Sequence, residues 1–306
     1  MMKRRFFCGQ VYATIPSIEM IEDHLLSEMN NNVEYKITKI DTTALEEKKG
    51  PYLNTKWGQF APYNWMCHLS FNSHFHLDKN AANCPTGCGA TALAQVLAYH
   101  KYPTSANGYA YNWDALHQQR SFPAQDTIAG TYDIAHLMKS AGLASSMNYR
   151  QDVSLTTAKK IQKALKNTFG YSGTDKINHF AGTRIVNNLD LGALSIVMGY
   201  PKGKTIGHIW VIDGYQKYKL TTKEIEYSDS TYTDVISTEI IEEQEKYYFH
   251  CNYGWGGVAD GYYLGKIFTT TQNTDLKEPY IDTLKTGSGS NDYTRWFRTV
   301  IYNNPN

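Results

Sequence analysis

Hydrophobic and polar positions divide the chain into a helical first half and a strand-rich second half. From Gly87 to Tyr102 the run GCGATALAQVLAYHKY keeps small and apolar residues on every side. That predicts a helix buried most of the way round, with Pro103 ending it. Ile134, Leu137, Met138 and Ala141 recur at i, i+3, i+4, i+7, with Gly142 as the stop. Ala158, Ile161, Leu165 and Phe169 repeat the pattern, with Thr156 as a candidate cap and Gly170 as a stop. After Gly192 the pattern turns to strands: Ala193 to Met198, His208 to Ile212 closed by an Asp213–Gly214 turn, Tyr247 to Tyr253, and Trp296 to Tyr302. Helices first and strands second describe an α+β chain.

Two stretches stand apart. Residues 1 to about 50 are polar and charged, carry a short helical pattern from Ile18 to Leu26, and end in EEKKGP. We expect residues 1–43 to be a lead-in or pro-segment, an ordinary first element being the alternative, and residues 44–306 to be the main domain. Within it, residues 217–246 are Thr- and Glu-rich with alternating apolar positions, and read as an excursion of the sheet edge.

Composition narrows the function classes. The 306 residues are 42% apolar and 19% charged, enough for a core without staples. A net charge of +1 without a dense Lys/Arg stripe argues against nucleic acid as a partner. No apolar run approaches the roughly 18 residues of a membrane span. The apolar stretch at the N-terminus, Phe6 to Cys8, is too short for a signal peptide. The five cysteines are too few for a disulfide scaffold, and their odd number leaves a free thiol unless two chains are linked.

Cys88 is the first candidate for chemistry. It lies between two glycines at the start of the buried helix, where unpaired N–H groups and the helix dipole favour a thiolate. Gly87 and Gly89, lacking side chains, are expected to let a substrate carbonyl approach the sulfur. A thiol nucleophile needs a base. Of the ten histidines, His208 stands out because it opens the strand HIWVI directly after Gly207. Asn252, where a strand gives way to a glycine turn, is expected to accept the imidazole Nδ1–H, with Trp255 shielding that bond from water. Gln59, in KWGQFAPYN, is expected to complete an oxyanion hole with the Cys88 N–H. Each residue taken singly also has a plain structural reading.

Together the segments WGQFAPYN, TGCGATALAQVLAYHKYP, GHIWVIDGY and NYGWGG, in that order, resemble the streptopain family of bacterial cysteine peptidases. YNWDAL at 111–116 and IQKALKNTFGY at 161–171 resemble its connecting segments. The resemblance implies a papain-like two-lobed fold, a helical lobe plus an antiparallel β lobe with the cleft between. It implies a cysteine endopeptidase acting on protein or peptide substrates. Cys88 would be nucleophile, His208 general base, Gln59 oxyanion donor, Asn252 orienting group, Trp255 shield, and Gly207, with Gly87, substrate-binding. It also implies a secreted or cell-surface zymogen with an inhibitory pro-segment, and no cofactor or metal. Gly89 departs from the valine common in the family, which predicts a looser helix start. Tyr253 replaces a frequent tryptophan, and Leu155 in Arg150–Thr157 replaces a small polar residue of the substrate-binding segment. The competing readings are a papain-like amidase acting on peptidoglycan cross-links, a non-catalytic binding module, and a zinc site drawing on Cys84, Cys88, His68, His74 and His76. A Cys84–Cys88 disulfide acting as a redox lock is a variant of the last.

Overall fold

The computed structural model describes residues 15–17, 36–68, 83–228, 232–269 and 292–305. The helical pattern from Ile18 to Leu26, His74 and His76 lie outside them. The chain divides into two compact units, one within residues 1–48 and 216–247, the other residues 49–215 and 248–306. No described helix is long and apolar enough to cross a membrane.

The second unit holds the helices. Helix α1 (Cys88–His100) is capped by Gly87 at φ 86 and closed by Lys101 in the left-handed region, whose N–H donates to the Ala98 and Leu97 carbonyls. Its residues Gly89 to Ala98 are all buried, as small side chains on every face require. A two-stranded ribbon, β3 (Ser105–Ala106) with β4 (Tyr109–Ala110), and the short helix α2 (Trp113–His117) follow. Helix α3 (Thr131–Ala144) runs two residues beyond Gly142, the expected stop. Gly142 is buried against the Tyr149 ring, so close packing and not termination explains that glycine. Helix α4 (Ala158–Asn167) is capped by Thr157, whose side chain accepts the Lys160 N–H, and not by Thr156. The Thr156 hydroxyl is buried and donates to the Ser145 carbonyl at 2.6 Å. Helix α5 (Gly182–Asp190) completes the set.

The sheet of this unit is antiparallel. Strand β6 (Ser195–Pro201) pairs with the first half of β7 (His208–Tyr227), in register Ser195↔Ile212 through Gly199↔His208. On its other side β6 pairs with β11 (Asp292–Ile301), which also carries β5 (Asp175–Ile177) and β10 (Phe268–Thr269). The end of β8 (Val235–Asn252) pairs with β9 (Gly261–Leu264). Trp57, Trp210, Tyr215, Leu93, Leu97 and Ile134 are among its fully buried side chains.

The expected turn at Asp213–Gly214 does not form; β7 runs straight through it. Asp213 is fully buried, and its carboxylate accepts from His250 Nδ1 at 2.6 Å and from the Leu53 N–H at 2.9 Å. A Cβ on Gly214 would stand 2.7 Å from the Lys49 carbonyl oxygen, so the glycine admits a crossing chain. In the first unit, β1 (Ile15–Ser17) pairs antiparallel with β2 (Lys36–Lys49). The expected excursion at 217–246 there consists mostly of the far ends of β7 and β8. Lys217 bridges Glu46 and Glu245, and Lys219 pairs with Glu243.

Candidate active site

Cys88 occupies the first residue of α1, and three backbone N–H groups face its sulfur: those of Ile209, Gly89 and Cys88 itself. The Ile209 amide is the informative one, because it belongs to β7 and directly follows His208. The strand mouth and the helix start therefore meet at the sulfur, bringing two residues 120 positions apart in sequence into one site. Cys88 keeps partial solvent access, whereas Cys67, Cys84 and Cys251 are buried; all four are free thiols. Burial pushes the Cys88 thiol up to about 11, outweighing the three N–H groups that favour its thiolate. Burial likewise pushes the His208 imidazole down to about 4, against a smaller opposing pull from the Tyr253 carbonyl. Each charge is costly alone at these two positions.

The imidazole is held differently from expectation. His208 Nε2 lies 2.8 Å from the Tyr253 backbone carbonyl. A carbonyl only accepts, so Nε2 carries the proton and Nδ1 is the basic nitrogen. Asn252 does not take the imidazole N–H. Its Nδ2 donates to the Thr55 carbonyl at 2.8 Å, and its Oδ1 accepts the Gly254 N–H at 3.1 Å. That Gly254 N–H and the Tyr253 carbonyl belong to one peptide unit, so Asn252 grips one end of the group whose other end holds His208. A bond to a backbone carbonyl leaves no side-chain signature, which is why residue types pointed to Asn252 instead.

Aromatic rings enclose the imidazole. Trp255 lies 4.4 Å away between ring centroids, and Tyr253 and Tyr293 each 5.8 Å. Tyr253 stacks in turn on Trp255 at 5.2 Å and Trp210 at 5.4 Å. Tyrosine in place of tryptophan thus still fills this layer, and it is buried. Trp210 and Tyr293 were not singled out in the sequence; alternation along HIWVI places Trp210 on the face of His208 and carries the signal for it.

Gln59 lies in a loop bonded to the segment before Cys88, and Gly207 directly precedes His208. The Gln59 carbonyl accepts the Thr86 N–H at 2.9 Å, tying its loop to the segment before Cys88, while the Gly256 N–H donates to the Trp57 carbonyl at 3.0 Å. The Gln59 side-chain amide makes no hydrogen bond among the described residues. Gly207 is half-buried, and a Cβ there would stand 2.6 Å from the Gly199 carbonyl oxygen and 3.0 Å from the Tyr200 ring.

The two glycines beside Cys88 face inward, not toward a substrate. A Cβ on Gly87 would meet Met147 Sδ and the Ser154 carbonyl oxygen at 2.8 Å, and the positive φ independently favours glycine. A Cβ on Gly89 would overlap the Thr156 methyl and crowd Ile161 and Ile209. The helix start is therefore tightly packed where a looser one was expected. Ser154 fastens the Arg150–Thr157 segment to the segment before Cys88 through a 2.7 Å bond to the Pro85 carbonyl. No group of three or more His, Cys, Asp or Glu among the described residues is placed to hold a metal ion.

Comparison with known proteins bears on the family and the fold. The model of the Peptidase C10 family matches residues 57–263, the span from the Gln59 loop to β9. Streptopain of Streptococcus pyogenes is 26% identical over 92% of this chain and 71% of its own length. The thiol protease/hemagglutinin PrtT of Porphyromonas gingivalis is 23% identical over 85% of this chain and 28% of its own. Active wild-type interpain A, a cysteine protease of Prevotella intermedia, superposes with a TM-score of 0.56 at 23% identity, covering 84% of this chain and 95% of its own. A prointerpain A fragment superposes at 0.55, with 21% identity and 84% of this chain covered. With an α+β papain-like fold and a family model spanning more than half its length, the chain belongs to the Peptidase C10 family and is a cysteine endopeptidase.

Proposed function

We propose that Cys88 is the nucleophile of this peptidase and His208 its general base and acid, acting on the peptide bonds of proteins outside the cell. The observation that carries the assignment is the Ile209 N–H facing the Cys88 sulfur while Nε2 of the preceding residue is held by the Tyr253 carbonyl. His208 Nδ1 accepts the Sγ proton as sulfur attacks the scissile carbonyl carbon. The oxyanion is received by the Cys88 N–H and the Gln59 side-chain amide, whose lack of a hydrogen bond among the described residues supports that role. Nδ1–H then protonates the leaving amine, and a thioester remains on Cys88. Water, deprotonated by His208, hydrolyses that thioester and restores the thiol.

Asn252 acts through the Tyr253–Gly254 peptide unit as a positioning residue, and Trp255 shields the Nε2 bond. Gly207 offers its backbone to the substrate, while the space a side chain would need is taken by the Gly199 carbonyl and the Tyr200 ring. Gly87 enters this reading as a packing residue. Residues 1–43 act as a pro-segment, a reading supported by the existence of prointerpain A among the structural relatives. Casein hydrolysis under reducing conditions tests the reading. Cleavage by the wild type and none by Cys88→Ala is expected. Equal cleavage by both removes Cys88 as nucleophile, and lysis of cell walls without casein cleavage moves the substrate to peptidoglycan.

A further inference from the structure

The turn that holds His208 is itself gripped from two sides. Asn252 takes the Gly254 N–H. The neighbouring Tyr253 N–H donates to Asp260 Oδ1 at 2.9 Å. Asp260 lies in the sequence VADG, after the glycine turn and one residue before β9. Among the described residues this amide is the only hydrogen-bond donor to its carboxylate. It makes no salt bridge there, although Lys56 and His250 lie near enough to favour its charge and Asp213 to oppose it. Burial dominates these influences and pushes the carboxyl up to about 6. A half-buried carboxylate whose only bonded donor among the described residues is one backbone N–H is costly to keep for stability alone. The segment it holds gives the placement a use. Two contacts join it to the imidazole: Asp260 Oδ1 to the Tyr253 N–H, and the Tyr253 carbonyl to His208 Nε2.

We propose that Asp260 is a positioning residue for His208, fixing the Tyr253 backbone so that its carbonyl meets Nε2 and Nδ1 is aimed at the Cys88 sulfur. The proposal rests on the reading of His208 as base. Released from Asp260, Tyr253, between the end of β8 and the glycine turn, rotates, the carbonyl swings off Nε2, and the imidazole loses its aim; displacements of about 1 Å at such a contact cost on the order of 100-fold in rate. Substrate binding, which does not involve this turn, is unaffected.

The test uses the full chain and two readouts: casein turnover, and alkylation of Cys88 by iodoacetamide, which needs no peptide substrate. Asp260→Ala is expected to lower kcat about 10- to 100-fold with KM within about threefold of wild type, and to slow alkylation at pH 7 by about tenfold or more. Asp260→Asn, whose Oδ1 still accepts the Tyr253 N–H, is expected to restore both to within about threefold. If Asp260→Ala does not fold, Asp260→Ser replaces it, since the shorter side chain stays polar but withdraws the acceptor. Wild-type kcat and alkylation in the folded Ala or Ser variant overturn the inference. So does an Asn variant as impaired as the Ala variant. Failure of the underlying reading looks different: there Cys88→Ala still cleaves casein, whereas failure of this inference leaves Cys88→Ala inactive and Asp260→Ala active.

Discussion

Replacing His208 by phenylalanine isolates what the imidazole does for the sulfur. Phenylalanine fills the slot between Trp255, Tyr253 and Tyr293, so the burial of Cys88 is preserved while the base is deleted. Without a base, Cys88 must ionise by itself, with the thiol pushed up to about 11. At pH 7 that leaves a thiolate fraction of about 10⁻⁴, four decades below full ionisation. On the proposed mechanism the wild type reaches its thiolate by handing the proton to Nδ1 and so escapes that penalty. Alkylation by iodoacetamide, followed by peptide mapping to score Cys88 separately from the buried Cys67, Cys84 and Cys251, measures the difference. At pH 7 the variant is expected to react at least 100-fold more slowly than wild type. Its rate should then climb about tenfold per pH unit up to pH 10, the slope of a single unassisted ionisation. A variant that alkylates at the wild-type rate at pH 7, with no such slope, would refute the claim that His208 takes the proton.

Two further outcomes follow from the packing and the buried histidines. Gly89→Ala drives its methyl into Thr156 Cγ2 and is expected to cost about 1–3 kcal/mol in urea unfolding. Thr156→Ser removes the obstructing methyl and keeps the hydroxyl that donates to Ser145, so the double variant should recover most of that loss; additive losses would contradict the packing account. Burial also pushes His100 down to about 4 from 6.5, among the rings of Tyr99, Tyr171 and Tyr302. A histidine lowered on folding gives stability that is complete above pH 6.5 and is lost as pH falls toward 4. His208 acts in the same direction, whereas Asp260, raised to about 6, stabilises on acidification over the same window. His100→Phe should therefore shrink the stability lost between pH 7 and 4.5 by about 2 kcal/mol, and an unchanged pH dependence would show that His100 is not held neutral.

Much of the site was legible because its chemistry sits on local signals. Gly-Cys-Gly before an alanine-rich run marked the start of a buried helix, and a histidine after Gly207 marked a strand mouth. What escaped depends on partners distant in sequence or on backbone atoms. Asp213–Gly214 has the local look of a turn, but the partner that buries Asp213 is His250, 37 residues on. Gly87 and Gly89 look like openings for a substrate, and only the positions of Met147, Ser154 and Thr156 reveal them as points of close packing. Thr156 and Thr157 are indistinguishable as caps until one is seen to face the core. The Tyr253 carbonyl was invisible in the same sense: any residue supplies a carbonyl, and its place depends on how Asn252 and Asp260 hold the turn.

On the proposed mechanism peptide bonds are cut through a thioester on Cys88. Acid quenching during turnover of an activated peptide ester, followed by mass mapping, tests it most directly. An acyl group is expected on the peptide that contains Cys88, absent in Cys88→Ala. An acyl group on another residue, or none while turnover proceeds at the wild-type rate in Cys88→Ala, would contradict it.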